Sequence, residues 1–120
     1  GNYRFPTQQF VTKTASYQVL STDNFVEFDN LGASGAVTFT LPAIANGYCF
    51  TFRARAAQNL IVASSEGANM EALNNLVANS VAFQTGAAII GGVFKIYSNP
   101  AGTKWLVSTL SAGANTVTVA

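Results

Sequence analysis

Apolar and polar residues alternate along most of this chain with a period of two, in short runs separated by Gly, Asn, Ser and Pro clusters. That cadence predicts half-buried β-strands, because successive side chains on a strand point to opposite faces. Ala36 to Leu41 puts Val37, Phe39 and Leu41 on one face and Ala36, Thr38 and Thr40 on the other, and Pro42 ends it. Tyr48 to Arg55 sorts the same way, with Tyr48, Phe50, Phe52 and Ala54 opposite Cys49, Thr51, Arg53 and Arg55. Further strands are expected at Tyr17 to Leu20, Phe25 to Asp29, Leu60 to Ser64, Val81 to Thr85, Val93 to Ser98, Trp105 to Leu110 and Thr116 to Val119. The first two of these, divided by Ser21-Thr22-Asp23-Asn24, read as a hairpin.

One stretch breaks the alternation. Glu66 to Asn79 spaces Met70, Leu73, Leu76 and Val77 in a short helical rhythm, the alternative being a loop whose apolar residues plug the end of a sandwich. Residues 1–16 (GNYRFPTQQFVTKTAS) contain Pro6 and place Phe5, Phe10 and Val11 too irregularly for either period, so an extended N-terminal arm is expected. Residues 17–120 then form a single all-β domain, a sandwich or jelly-roll-like body of eight to nine short strands.

Composition narrows the function classes. Only 9% of the 120 residues are charged, against roughly 25% in ordinary soluble domains, while 49% are hydrophobic. With a net charge of +1 there is no field to attract nucleic acid or an anionic membrane. No apolar run approaches the roughly 18 residues that span a bilayer, and the start Gly1-Asn2-Tyr3-Arg4 does not read as an export signal. The single Cys49 cannot form an intrachain bridge, which suits a reducing or redox-indifferent compartment. The absence of His removes Ser–His and Cys–His nucleophiles, imidazole bases and His-ligated zinc. No catalytic residue, cofactor, metal or small-molecule substrate is therefore expected.

Two sets of residues stand out as contact candidates. Glu27 and Asp29 lie on one face of their strand and Arg53 and Arg55 on one face of theirs, so cross-strand pairing would relieve both like-charged pairs. Within one chain such pairing decorates a sheet; across a subunit boundary it would set register. Phe25 falls on the same side as Glu27 and Asp29, so it is either exposed or covered by a partner, and these five residues together form the expected subunit interface. A glycan-cleaving role for Glu27 and Asp29 is the weakest reading, since two neighbouring carboxylates also need a groove and a raised pKa. Cys49, without His or a second Cys, is expected to be a buried small hydrophobe. Long strands with little charge invite edge-to-edge pairing, and only Lys95 and Lys104 guard the nearby edges.

The passages Ala36-Val-Thr-Phe-Thr-Leu-Pro42, Asn46-Gly-Tyr-Cys-Phe-Thr-Phe52, Leu60-Ile-Val-Ala-Ser-Ser65, Met70 to Leu76, and Val93-Phe-Lys-Ile-Tyr97 leading to Lys104-Trp-Leu-Val107 carry a resemblance. Over about residues 20–110 the chain resembles small β-structured virion proteins of tailed bacteriophages, namely capsid decoration (cement) proteins and tail-fibre head modules. The resemblance implies a β-sandwich that trimerises and adheres to other virion proteins, with no catalytic residue to carry over. As a decoration protein it would bind the major capsid protein on the capsid surface as a homotrimer, with Arg4, Phe5, Phe10 and Val11 of the arm on the lattice. As a tail-fibre or receptor-binding head it would hold a host glycan or surface protein. A chain complete at 120 residues would fit decoration better, since fibres carry a long shaft.

Overall fold

The computed structural model describes residues 8–84, 89–110 and 117–120. Among them are twelve strands in two sheets, more than the eight or nine expected, because the expected arm contributes one strand, Gln9–Thr12, and Glu66 to Asn79 contributes two, Met70–Ala72 and Asn75–Ala78. The strands are β1 (Gln9–Thr12), β2 (Tyr17–Gln18), β3 (Val26–Asp29), β4 (Val37–Thr40), β5 (Cys49–Arg53) and β6 (Leu60–Ala63). They continue with β7 (Met70–Ala72), β8 (Asn75–Ala78), β9 (Ser80–Phe83), β10 (Val93–Ser98), β11 (Trp105–Leu110) and β12 (Val117–Val119).

A seven-stranded sheet runs in the order β1-β3-β5-β10-β11-β7-β8 and a five-stranded sheet in the order β12-β9-β6-β4-β2. Up to β6 the chain places successive strands alternately in the two sheets. β1, β3 and β5 pair in parallel in one layer, and β2, β4 and β6 pair in parallel in the other. Parallel neighbours need a crossover, and here the strand of the opposite layer supplies it. The later strands return mostly antiparallel, as in β5-β10-β11 and β6-β9-β12. The all-β sandwich expectation holds; a jelly roll is built of antiparallel strands, and this body is mixed.

Inward parity packs the two layers together. Val26, Phe28, Phe50, Phe52, Phe94, Ile96 and Trp105 of the larger sheet are buried against Val37, Phe39, Leu60, Val62, Val81 and Phe83 of the smaller. The centre is an aromatic cluster: Phe28 lies 5.3 Å from Phe39 and Phe39 lies 5.1 Å from Phe52, ring centre to ring centre. Such tilted contacts add about 1 kcal/mol each to the burial of the rings.

Three expectations are corrected. Tyr17–Gln18 and Val26–Asp29 do not form a hairpin; a 3₁₀ turn at Ser21–Asp23 carries the chain from one sheet to the other. The two segments face each other across the core, with Tyr17 5.5 Å from Phe28, so both apolar faces are buried without lateral pairing. Glu66 to Asn79 contains a hairpin rather than a helix or a loop plug. Leu73 and Asn74 both have positive φ, 39° and 69°, and link β7 to β8 through a two-residue turn. Met70, Ala72 and Ala78 are buried while Leu73, Leu76 and Val77 are exposed, so the helical spacing of four apolar residues does not mark one buried face. Finally, the expected arm is partly incorporated. Gln9–Thr12 is an edge strand parallel to β3, and Val11, beside Phe28, packs against the core. Residues 1–7, including Arg4 and Phe5, lie outside the described residues, as do Thr85 and Thr116.

Candidate functional site

The outer face of the seven-stranded sheet collects most of the candidates. Strand register places Phe10, Glu27, Thr51, Lys95 and Ser108 side by side in one row across β1, β3, β5, β10 and β11. A neighbouring row holds Cys49, Tyr97, Leu106 and Glu71. Phe25 enters beside Cys49, whose carbonyl accepts its backbone N–H at 2.9 Å.

The four charged candidates are brought together within one chain. Arg53 Nε donates to Glu27 Oε2 at 3.0 Å, and Arg55 Nη1 lies 3.6 Å from Asp29 Oδ2. Each arginine reaches diagonally, since Asp29 rather than Glu27 lies directly opposite Arg53 in the parallel register. Asp29 is buried, with Oδ1 accepting from Thr12 Oγ1 at 2.9 Å and from Leu31 N at 3.0 Å. That carboxylate therefore joins the edge strand β1, the turn after β3 and the end of β5. The next residue continues the role: Asn30 Oδ1 accepts from the N–H groups of Arg55 and Ala56, at 2.7 and 3.1 Å. An intersubunit partner is not needed to neutralise these charges. The arrangement fixes register and leaves neither carboxylate facing the other across a cleft.

Aromatic exposure is concentrated beside this network. Phe10 is 67% exposed and Phe25 56%, and Gln8 Nε2 donates to the Phe25 carbonyl. Phe25 has a φ of 68°, a left-handed conformation uncommon for a bulky residue. Asn24 holds it there. Asn24 Oδ1 accepts from Cys49 N at 2.8 Å and Asn24 Nδ2 donates to the Gly47 carbonyl at 2.8 Å. Tyr97 completes the exposed aromatics on this face. Cys49 is half-buried on the outer face rather than in the core, because its parity sets it opposite Phe50 and Phe52.

A second exposed group consists of residues that the sequence reading places on a helix face or in a plug. Leu73, Leu76 and Val77 project from the β7-β8 hairpin at the other edge of the same sheet. The signal was their excess over strand parity: adjacent apolar residues at Leu76 and Val77 cannot both face inward on an extended strand. Lys104 does guard this edge, donating from Nζ to the carbonyls of Leu76 at 2.9 Å and Ala68 at 3.3 Å. Lys95 does not guard an edge, for β10 is central, between β5 and β11.

Away from these surfaces, Tyr17 Oη donates to Asp23 Oδ2 at 2.8 Å, and Lys13 Nζ sits 4.0 Å from the Tyr17 ring centre. The Asp23 hydrogen bond holds the Tyr17 phenol above its ordinary value, with burial and the Asp23 charge acting in the same direction. Among the described residues, no three His, Cys, Asp or Glu side chains are grouped so as to hold a metal ion, and no helix is long and apolar enough to cross a membrane. The chain matches no protein-family model and no curated protein. The fold and this surface define an all-β sandwich that exposes apolar side chains at the two edges of its larger sheet.

Proposed function

We propose that this chain is a structural virion protein, a bacteriophage capsid decoration protein that binds the outside of the major capsid lattice as a homotrimer. The observation that carries the reading is the pair of exposed apolar groups, Phe10 with Phe25 and Leu73 with Leu76 and Val77, at opposite edges of one sheet. A cyclic trimer needs two different surfaces per subunit, since its contacts are head to tail. Opposite edges of a sheet supply such a pair. Low surface charge favours the same use, because an interface core is depleted of charged side chains. Resemblance over residues 20–110 supplies the virion context.

The function is adhesion without catalysis. Three copies on one lattice engage together, so weak single contacts become strong through effective concentration. The N-terminal segment, with Arg4 and Phe5, is assigned to the capsid, while Phe10 and Val11 belong to the body. The protein would be made in the host cytoplasm and reside on the capsid surface.

Solution mass by light scattering and co-sedimentation with capsids test the proposal. A trimer that loads onto expanded capsids, and loses loading when residues 2–7 are removed, supports it. Truncation stops at residue 7 because Gln9–Thr12 is part of the sheet. A monomer at all concentrations that stays in the supernatant overturns it.

A second reading has its own observation. Phe10, Phe25 and Tyr97 interleave with Gln8, Thr51 and Lys95 on a single outer face. Exposed rings among hydrogen-bonding side chains suit a tail-fibre or receptor-binding head that grips a host glycan. Binding to a glycan array, with a few copies per particle rather than hundreds, selects this reading over decoration.

A further inference from the structure

The chain contains one Asn-Gly pair, Asn46-Gly47, in the loop between β4 and β5. Both residues are exposed, and the Asn46 side chain makes no hydrogen bond among the described residues. Gly47 sits at a φ of 87°, and its N–H likewise donates to nothing among them. Asn74 is also exposed and without a side-chain hydrogen bond among the described residues, but it is followed by Asn75, which carries a Cβ; six further asparagines differ from Asn46 in both respects. The side chains of Asn24, Asn30, Asn69, Asn75, Asn79 and Asn99 are all engaged in hydrogen bonds, and each is followed by a residue with a Cβ.

We propose that Asn46 is a self-modification site, at which the chain converts its own asparagine to aspartate and isoaspartate. The backbone nitrogen of Gly47 gives its proton to solvent base and attacks Cγ of Asn46. The Cγ–Nδ2 bond breaks and Nδ2 takes a proton from solvent to leave as ammonia, closing a five-membered succinimide. Water then opens the ring at either carbonyl. Opening at one yields aspartate; opening at the other yields isoaspartate, with an additional methylene in the main chain. Gly47 favours the attack because it has no Cβ to obstruct the approach and little barrier to turning its nitrogen inward. Free asparagine amides are among the thermolabile groups of proteins.

The location gives the reaction a structural consequence. A Cβ on Gly102 would lie 2.8 Å from Asn46 N, so the turn at 99–102 packs against this loop with no room for a side chain at 102. On the other side Asn24 holds the Gly47 carbonyl, and the same Asn24 fixes Cys49 N and thereby the entry to β3 and β5. A lengthened main chain at Asn46 must give way at one of these contacts. The new carboxylate also cancels the net charge of +1 of a chain that has only five acidic residues. The site thus acts as an irreversible clock on the loop next to exposed Phe25.

The test is incubation of the intact protein at neutral and mildly alkaline pH, followed by peptide mapping and isoaspartyl methyltransferase labelling. Conversion concentrated at Asn46, with equimolar ammonia and faster at the higher pH because Gly47 N must lose a proton, is the expected result. Asn46→Gln should abolish both the label and the early ammonia while leaving the circular dichroism spectrum unchanged. Conversion at Asn46 no faster than at the other asparagines, or undiminished ammonia from the Asn46→Gln protein, overturns the assignment. The purified isoaspartyl form should melt below the aspartyl form; equal melting overturns the strained-loop consequence.

Discussion

The two edges of the seven-stranded sheet solve the same problem with opposite means. At the β1 edge, a buried carboxylate and two arginines lock parallel strands together, and the exposed Phe10 and Phe25 stand beside that network. At the β8 edge, a tight two-residue turn ends the sheet, and the exposed Leu73, Leu76 and Val77 are flanked by a single cation, Lys104. The first edge is held by polar bonds between distant segments, so its shape depends on the tertiary fold. The second is local, and depends on whether Leu73 tolerates a left-handed conformation. The surface at β1 is thereby fixed by bonds from several segments, while that at β8 can be altered by a single turn residue without disturbing the core.

The largest expected effect is at Asp29. Asp29→Ala removes the acceptor for Thr12 and Leu31 and leaves Arg55 without its acid, and should cost about 2–3 kcal/mol by denaturant unfolding. Amide exchange should show β1 released before the rest of the sheet. Loss of stability spread evenly through both sheets would erase the proposed difference between the edges. The opposite edge should respond with the opposite sign. Leu73→Gly relieves a left-handed leucine and should stabilise the chain by up to about 1 kcal/mol, net of the entropy that glycine adds to the unfolded state. A destabilisation of that size would mean that Leu73 contributes contacts its exposure does not reveal.

Lys104→Met retains the length of the side chain but removes the donor to Leu76 and Ala68. It should cost about 0.5–1 kcal/mol and increase concentration-dependent association at the β8 edge, read by light scattering. The smallest effect lies outside both edges, a pH dependence at Tyr17 of β2 in the five-stranded sheet. Tyr17 is held above the usual phenol value of 10.0 by its hydrogen bond to Asp23. The stability this contributes is complete below 10.0 and is lost as pH rises through the raised folded value. Tyr17→Phe lacks that titration, so the stability difference between the two proteins should shrink above pH 10.0, as measured by urea unfolding across the alkaline range.

Different parts of the molecule were unequally legible. The runs Ala36 to Leu41 and Tyr48 to Arg55 have strict parity, and burial along β4 and β5 follows it residue by residue. Pairing of Glu27 and Asp29 with Arg53 and Arg55 was also readable, because opposite charges on outward positions of two strands have few other places to go. The β7-β8 hairpin was not. Its Met70, Leu73, Leu76 spacing imitates a helix, and only the parallel pairing of Met70 with Trp105 and the two positive φ values show otherwise. Nor was the union of Gln9–Thr12 with the sheet readable, since a four-residue edge strand has one neighbour and needs little apolar periodicity.

By itself the sequence determined which face is apolar in the strictly alternating strands, β4 and β5, because a period of two is a local property of the backbone. It also determined that charge would play a small part on the surface. Only the tertiary structure decided which strands are neighbours. Alternation says that Phe28 and Phe39 point inward, but it contains nothing about whether they lie side by side in one layer or, as here, face each other across two. That choice is made by the sum of contacts between segments far apart in the chain, of which the Asp29 bonds to Thr12, Leu31 and Arg55 are the polar part and the Phe28-Phe39-Phe52 cluster the apolar part.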